Sequence, residues 1–484
     1  MKQKKLLLYI TGLLLVFSSC EKSFLDIKPL QSVSIADAIV SVPTMRTALT
    51  GVYSLMQSSD YYGRNLVVLP DLMADNMYQS VIAGARYTNY DRYNISSNDG
   101  DASSSWIRMY QVVTNANVII EKGAALQAGF PLADAAEGQQ IRGEAYAIRA
   151  LAFFDLCKLF AKTYTTTTDA SHLGIPLVLS YPKDKNDISF PARNTVKESY
   201  DQMIKDLDSA ISLLPASGNV INGVNTSRIN KWAAYALQSR VYLYKGDWAN
   251  AETAASQVIN SNKYSLLPNT TLIADYKKQL NAESLLEVVN NDKDNAGTDG
   301  VAYIYSQAGY GEMLCSTNLY GIYSSSDMRR SFITKGNRNA SGGETNVNLI
   351  NKYSGNTVNF NENIKIIRLA EMYLNRAEAR ARIGVNLIGA QADVQAVRLR
   401  AQPTATPVTE TGTALIDLII NERRKEFAFE GFRLYDLLRT KTSFIKYSTA
   451  GNTISVSWNS NKVTLPIPQR EITINNHLEQ NSGY

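Results

Sequence analysis

The sequence predicts an all-α protein built on a helical scaffold of the tetratricopeptide type. Three observations carry this. Segments 137–160 and 195–214 repeat apolar residues three and four apart, the period of an amphipathic helix. Segments 229–244 and 248–260 form a helix–turn–helix pair around Lys245-Gly246-Asp247, where glycine suits a helix C-cap and aspartate the next N-cap. The composition, 45% hydrophobic and 19% charged over 484 residues, supports a packed interior and excludes global disorder. Length alone suggests two to three structural units.

The first residues read as a secretory signal. A basic start (Lys2, Lys4, Lys5) runs into apolar Leu6 to Phe17 and ends at Ser18-Ser19-Cys20. Those twelve apolar residues fall short of the roughly 20 that span a bilayer. The boundary resembles a bacterial lipoprotein cleavage site, with Phe17 where leucine is commoner. Residues 1–19 are expected to be removed, leaving Cys20 as the lipid-bearing first residue. The helix at 137–160 carries Ile141, Ala145, Ile148, Ala152, Leu156 and Leu159; that at 195–214 carries Val196, Tyr200, Met203, Leu207 and Ile211, with Pro215 past its end. In the helix pair, Trp232, Ala236, Leu237, Tyr242 and Tyr244 precede the turn, and Ala251, Ala254, Ala255 and Val258 follow it. Small alanines let the second helix nest against its neighbour. A second pair is expected at 365–383 and 390–400, with Ala370, Ala377, Ala379 and Ala381 on its first helix. Two long regions rich in Asn, Ser, Gly and Tyr, 60–105 and 262–360, read as irregular, a length usually kept for function. A polar linker with Pro403 and Pro407 covers 401–413.

Composition also excludes several chemistries. The formal net charge is +5, and near +2 once the three lysines of the signal are gone, too little for an electrostatic nucleic-acid binder. Two histidines, His172 and His477, make a histidine metal site or histidine catalysis a poor fit, and no metal or cofactor is expected. Beyond Cys20 there are only Cys157 and Cys315; Cys157, among Phe153, Phe154, Leu156 and Leu159, reads as a buried free thiol. No GxSxG, HExxH, P-loop or dinucleotide fingerprint occurs. Asp71 and Asp75 could make a glycosidase pair, but solvent-facing or capping acids are far commoner. Glu422-Arg423-Arg424-Lys425-Glu426 through Glu430-Gly431-Phe432-Arg433 is the densest charged motif. Its acids and bases recur three and four apart, which favours a structural ion-pair knot over an anion site.

The chain resembles the SusD/RagB-like outer-membrane nutrient-binding lipoproteins of Bacteroidetes over almost its whole length. The resemblance rests on Phe24-Leu25-Asp26-Ile27-Lys28-Pro29, Arg142-Gly143-Glu144-Ala145 to Leu156, Gly174-Ile175-Pro176-Leu177-Val178, and Asp206-Leu207 to Leu214-Pro215. It continues in Ile367-Arg368-Leu369-Ala370-Glu371 to Ala379, the knot at 422–439, Pro466-Ile467-Pro468-Gln469-Arg470-Glu471-Ile472 and Gln480-Asn481-Ser482-Gly483-Tyr484. It implies about four tetratricopeptide-like helix pairs under a loop-rich binding half, with an N-terminal half at 20–225 and a C-terminal half at 226–484 packed as one unit. It implies a non-catalytic surface lipoprotein that captures an oligosaccharide and lids a SusC-like TonB-dependent barrel. A peptide-binding subunit of the same transporter class is the alternative, and a surface glycoside hydrolase a more distant one.

Tyrosine supplies the candidate site. There are 28, against 13 Phe and 4 Trp; seven fall in 61–110 and five in 301–323, and all of these but Tyr110 lie in the irregular regions. A sugar ring has an apolar C–H face that stacks on a phenol and a hydroxyl rim that suits Asn, Asp or Gln. Asp75, Asn76, Tyr78 and Gln79 have that mixture, and in the family the corresponding loop resembles one arm of the binding site. Tyr303, Tyr305 and Tyr310 are expected to form the other arm. The competing expectation is that these tyrosines pack the loops onto the scaffold.

Overall fold

Helix ends are set by the capping chemistry of the sequence. In the computed structural model, which describes residues 38–81, 84–184, 186–217, 226–338, 344–353, 359–448 and 451–484, the main helices begin with α1 (Val42–Gln57), α2 (Asn65–Leu72), α3 (Gly100–Leu126) and α4 (Leu132–Phe160). They continue with α5 (Val196–Leu213), α6 (Lys231–Lys245) and α7 (Trp248–Asn260). Residues 1–19 and Cys20 lie outside the described residues. Ser41 with Thr44, and Thr195 with Glu198, form reciprocal capping boxes at α1 and α5. Between α6 and α7, Gly246 takes the left-handed conformation at φ +79° and Asp247 caps α7 through the Asn250 N–H, as the sequence predicts. α4 starts five residues before the predicted 137, because Pro131 and an alanine-rich stretch begin the helix earlier.

The second pair departs from expectation at its start. Ile364–Arg368 is a strand, β6, antiparallel to β2 (Ser284–Val288), and the helix that follows, here α10 (Leu369–Ile383), begins only at Leu369. The run Ile-Lys-Ile-Ile-Arg is rich in β-branched residues, and all five are buried. The turn to α11 (Leu387–Ala401) repeats the first pair's chemistry, with Gly384 at φ +80° and Asn386 capping through the Gly389 N–H. The stack then runs α3, α4, α5, α6, α7, α10, α11, each packed on the one before, with α12 (Gly412–Glu426) closing onto α10. The protein is mostly helical, and its scaffold is of the tetratricopeptide type.

The regions read as irregular contain short ordered elements. β1 (Met77–Gln79), β3 (Met313–Cys315), β5 (Val347–Ile350) and β4 (Ile333–Gly336) form one sheet in the order β1-β3-β5-β4, with α8 (Val301–Tyr305) and α9 (Thr317–Ile322) flanking β3. Strands of three or four residues are too short to show a period in sequence. Cys157 and Cys315 are both buried free thiols.

The charged motif at 422–433 is a buried ion-pair knot. Glu426 accepts from Arg400 at 2.6 Å, Arg368 at 2.8 Å and Arg329 at 3.1 Å, and Arg368 also meets Glu283 at 2.6 Å and Glu430 at 2.8 Å. Arg423 pairs with Asp436 of α13 (Arg433–Arg439) at 3.0 Å, and Arg439 with Glu378 of α10 at 2.7 Å. Burial alone would raise the Glu426 carboxyl; the guanidinium groups of Arg400, Arg368 and Arg329 outweigh it and hold the group well below the usual carboxylate range. Because the folded value lies below the unfolded one, the stabilisation is full above the unfolded Glu value of about 4.3 and is lost as pH falls through the lower folded value. Glu426→Ala removes the buried carboxylate that three guanidinium groups share and should cost about 3–5 kcal/mol. Denaturant unfolding at pH 7 measures this; a loss under about 1 kcal/mol would show that the knot is dispensable.

Candidate functional site

The pairing of β1 with β3 brings the two tyrosine-rich windows together. Tyr78 stands opposite Leu314 and Gln79 opposite Met313, and the ladder extends through the Ser80 N–H to Glu312 O at 2.8 Å and the Ser316 N–H to Asn76 O at 2.9 Å. A cleft of about 390 Å³ opens beside this ladder. Tyr78, Val347 and Tyr447 line it with Ser316, Thr317, Thr345 and the carboxylate of Glu344. Ser80 donates to Glu344 and accepts from Arg338 Nη1 at 2.9 Å; the same guanidinium donates to Tyr310 O and Gly311 O, each at 3.1 Å. Burial, then the Glu344 charge, pushes the Tyr78 phenol up to about 12, so it stays a neutral hydroxyl at any physiological pH.

Arg338 thereby connects the cleft to an aromatic shelf. There the Tyr303 ring meets Tyr310 edge-on at 4.7 Å and Phe360 at 4.6 Å, and the Arg86 guanidinium lies 4.2 Å over Tyr310. Tyr310 is 37% exposed and Tyr303 half-buried. Of the seven predicted residues, then, Tyr78, Tyr303 and Tyr310 present ring surface to solvent near the joined windows.

The other four are interior. Asp75 is held by Arg433 through two bonds at 2.7 and 2.9 Å and by Arg424 at 3.2 Å. Burial would raise its carboxyl, but the Arg433 and Arg424 contacts lower it below the ordinary value. Asn76 accepts from Arg424 Nε at 3.0 Å and donates to Asp71 at 2.6 Å. Gln79 donates to Gly84 O and accepts from the Thr88 hydroxyl, both at 2.9 Å. Tyr305 is fully buried between Tyr353 and Phe429, so its face is closed to a ligand. These four shape the strand and its floor. Burial pushes the Asp71 carboxyl up to about 7 while the Gly431 N–H and Asn76 stabilise its charge, so Asp71 and Asp75 are both structural acids.

Most of the remaining tyrosines in the two windows also pack inward. Tyr61 and Tyr62 both donate to Asp155 at 2.7 Å, Tyr87 donates to Asn65 at 3.2 Å, and Tyr323 donates to Lys425 O at 2.9 Å. Sequence reasoning missed Glu344, Thr345 and Tyr447, which lie hundreds of residues from Tyr78 and carry no local pattern.

Family comparison agrees with this architecture. A sequence model of the SusD family matches residues 288–484, and a second, described as starch-binding and associating with the outer membrane, matches 23–243. A Bacteroides vulgatus crystal structure is 31% identical, with a TM-score of 0.82, covering 92% of this chain and 99% of the other. The chain belongs to the SusD/RagB family. A SusD-superfamily structure from Bacteroides thetaiotaomicron is 28% identical at a TM-score of 0.81, covering 91% of this chain and all of that one. A SusD-like protein of Bacteroides ovatus is 25% identical over 487 residues, 90% of this chain and 82% of the relative. Within this SusD/RagB fold, the burial contrast between two tyrosines is directly measurable. Tyr305→Ala should lower stability by about 3–5 kcal/mol, the cost of emptying a large aromatic site, whereas Tyr78→Ala should cost about 1 kcal/mol or less. Equal losses in a denaturant titration would contradict the placement of Tyr305 in the core.

Proposed function

We propose that this SusD/RagB protein is a non-catalytic capture subunit that binds an oligosaccharide in the cleft beside Tyr78. The reading includes delivery of the glycan to a SusC-like TonB-dependent outer-membrane barrel, with the chain lipid-anchored through Cys20 and facing the cell exterior. The observation that carries it is the open cleft beside the β1–β3 ladder, where two phenol rings, several hydroxyls and a carboxylate converge. Tyr78 and Tyr447 supply faces for sugar C–H groups, while Thr345, Ser316 and Glu344 supply partners for the hydroxyl rim. The starch-binding description of the matching family model supports the same ligand class.

The non-catalytic assignment has its own physical support. Glycoside hydrolysis uses two carboxyl groups flanking one bond, and among the described residues lining the cleft only Glu344 carries one. Asp71 and Asp75, the pair closest to this pattern in sequence, are spent on Gly431 and Asn76 and on two arginines. A polysaccharide panel against the mature chain should yield at least one ligand, with no reducing ends released. Tyr78→Ala and Tyr447→Ala should each weaken it by about 1 kcal/mol, roughly fivefold, the scale of one stacking contact. Unchanged affinity in both variants would move the site elsewhere, and steady release of reducing ends would replace capture with hydrolysis.

A further inference from the structure

A larger groove, of about 490 Å³, shares no lining residue with the Tyr78 cleft. Its walls are α3, the irregular segments 176–178 and 189–191, and a short C-terminal helix, α14 (Gln469–Ile474). That volume falls within the range of small-molecule sites, roughly 300–1,000 Å³. The walls are pinned to one another: Tyr110 donates to Pro176 O at 2.8 Å, Asn475 to Pro191 O at 2.9 Å, and His477 Nδ1 to Phe190 O at 2.8 Å. The floor is aromatic and aliphatic. Trp106 and Tyr110 meet at 4.9 Å, and Phe190 and Ile474 stand 46% and 54% exposed at the edge.

The rim is polar and uncommitted. The side chains of Gln111, Thr114, Arg470 and Glu471 make no hydrogen bond or ion pair among the described residues. We propose that this groove is a second glycan-binding site, an inference that rests on the capture function argued above. A sugar hydroxyl both donates and accepts, so one neutral ring can serve Glu471 as donor, Arg470 as acceptor and Gln111 as either. The exposed Phe190 ring offers the flat apolar face that the C–H side of the sugar requires. A peptide fits less well: none of the three walls is a β-strand, so no free edge exists to extend by backbone pairing. Two separate sites on one chain would let a polysaccharide be gripped at two points, raising its effective affinity without tighter individual contacts.

The test is hydrogen exchange on the full mature chain with amylopectin, xylan, mannan and mixed-linkage β-glucan, and with tryptic casein peptides in a separate arm. With the polysaccharide that binds, protection should appear both at 77–80 and at 107–115 with 470–475. Phe190→Ala and Arg470→Ala change exposed side chains and should leave the melting temperature unchanged. Each should erase the groove protection, keep that at 77–80, and weaken polysaccharide binding at least threefold. Protection at 77–80 alone would overturn the second site while leaving the capture reading intact. Groove protection by the peptides alone would overturn it in favour of a protein ligand. If none of the polysaccharides binds, the capture reading fails first and this site with it.

Discussion

The structure depends on the clamp that Arg424 and Arg433 place on Asp75 and Asn76. The two arginines come from α12 and α13, near the end of the chain, and the two acceptors directly precede β1, near its start. A planar guanidinium that bonds a carboxylate through two parallel contacts fixes orientation as well as distance. The clamp therefore sets where β1 begins and which face Tyr78 presents. Ser316 adds a bond from its hydroxyl to Asp75 O at 2.8 Å, which ties the end of β3 to the same point. Behind the clamp, Arg368, Arg400 and Arg329 converge on Glu426, so the loop-rich half is held to the helical scaffold by buried charge. Buried pairs of this kind add little net stability compared with apolar packing, but breaking one partner is costly, which suits a role in fixing register.

The abundance of tyrosine follows from the same interior. A phenol can fill an aromatic-sized space and still satisfy a buried carboxylate or carbonyl, as Tyr61 and Tyr62 do on Asp155. A core with many buried charges gains from such side chains, because each unpaired polar group left in it would carry a desolvation cost. The proposed binding surface then draws on phenols whose rings remain at the edge. Tyr78, Tyr303, Tyr310 and Tyr447 are of this kind.

Much of the scaffold is legible in the sequence because its signals are local. The Gly246-Asp247 turn, the Thr195–Glu198 capping box and the alanines of α7 and α10 each announce themselves within a few residues. The knot at 422–433 is legible for the same reason, through charges three and four apart. The candidate site is legible only in part. Tyr78 and Tyr310 stand out by composition, yet nothing nearby distinguishes half-buried Tyr303 from fully buried Tyr305, two residues along the same short helix. Asp75 and Asn76 look like ligand-facing polar groups until their arginine partners, about 350 residues away, are in place. Glu344 reaches the cleft just ahead of β5, which pairs with β3, and Tyr447 arrives between Lys446 and Ser448, both bonded to Asp91, which in turn accepts from the Gln79 N–H; these long-range contacts leave no trace in local pattern.

The most direct measurement of the central claim is a crystal structure of the mature chain soaked with its tightest-binding polysaccharide fragment. The account requires sugar density in the cleft, with a ring face on Tyr78 or Tyr447 and a hydroxyl within hydrogen-bond reach of Glu344. A fragment bound elsewhere on the chain, with that cleft left empty at saturating ligand, would contradict it.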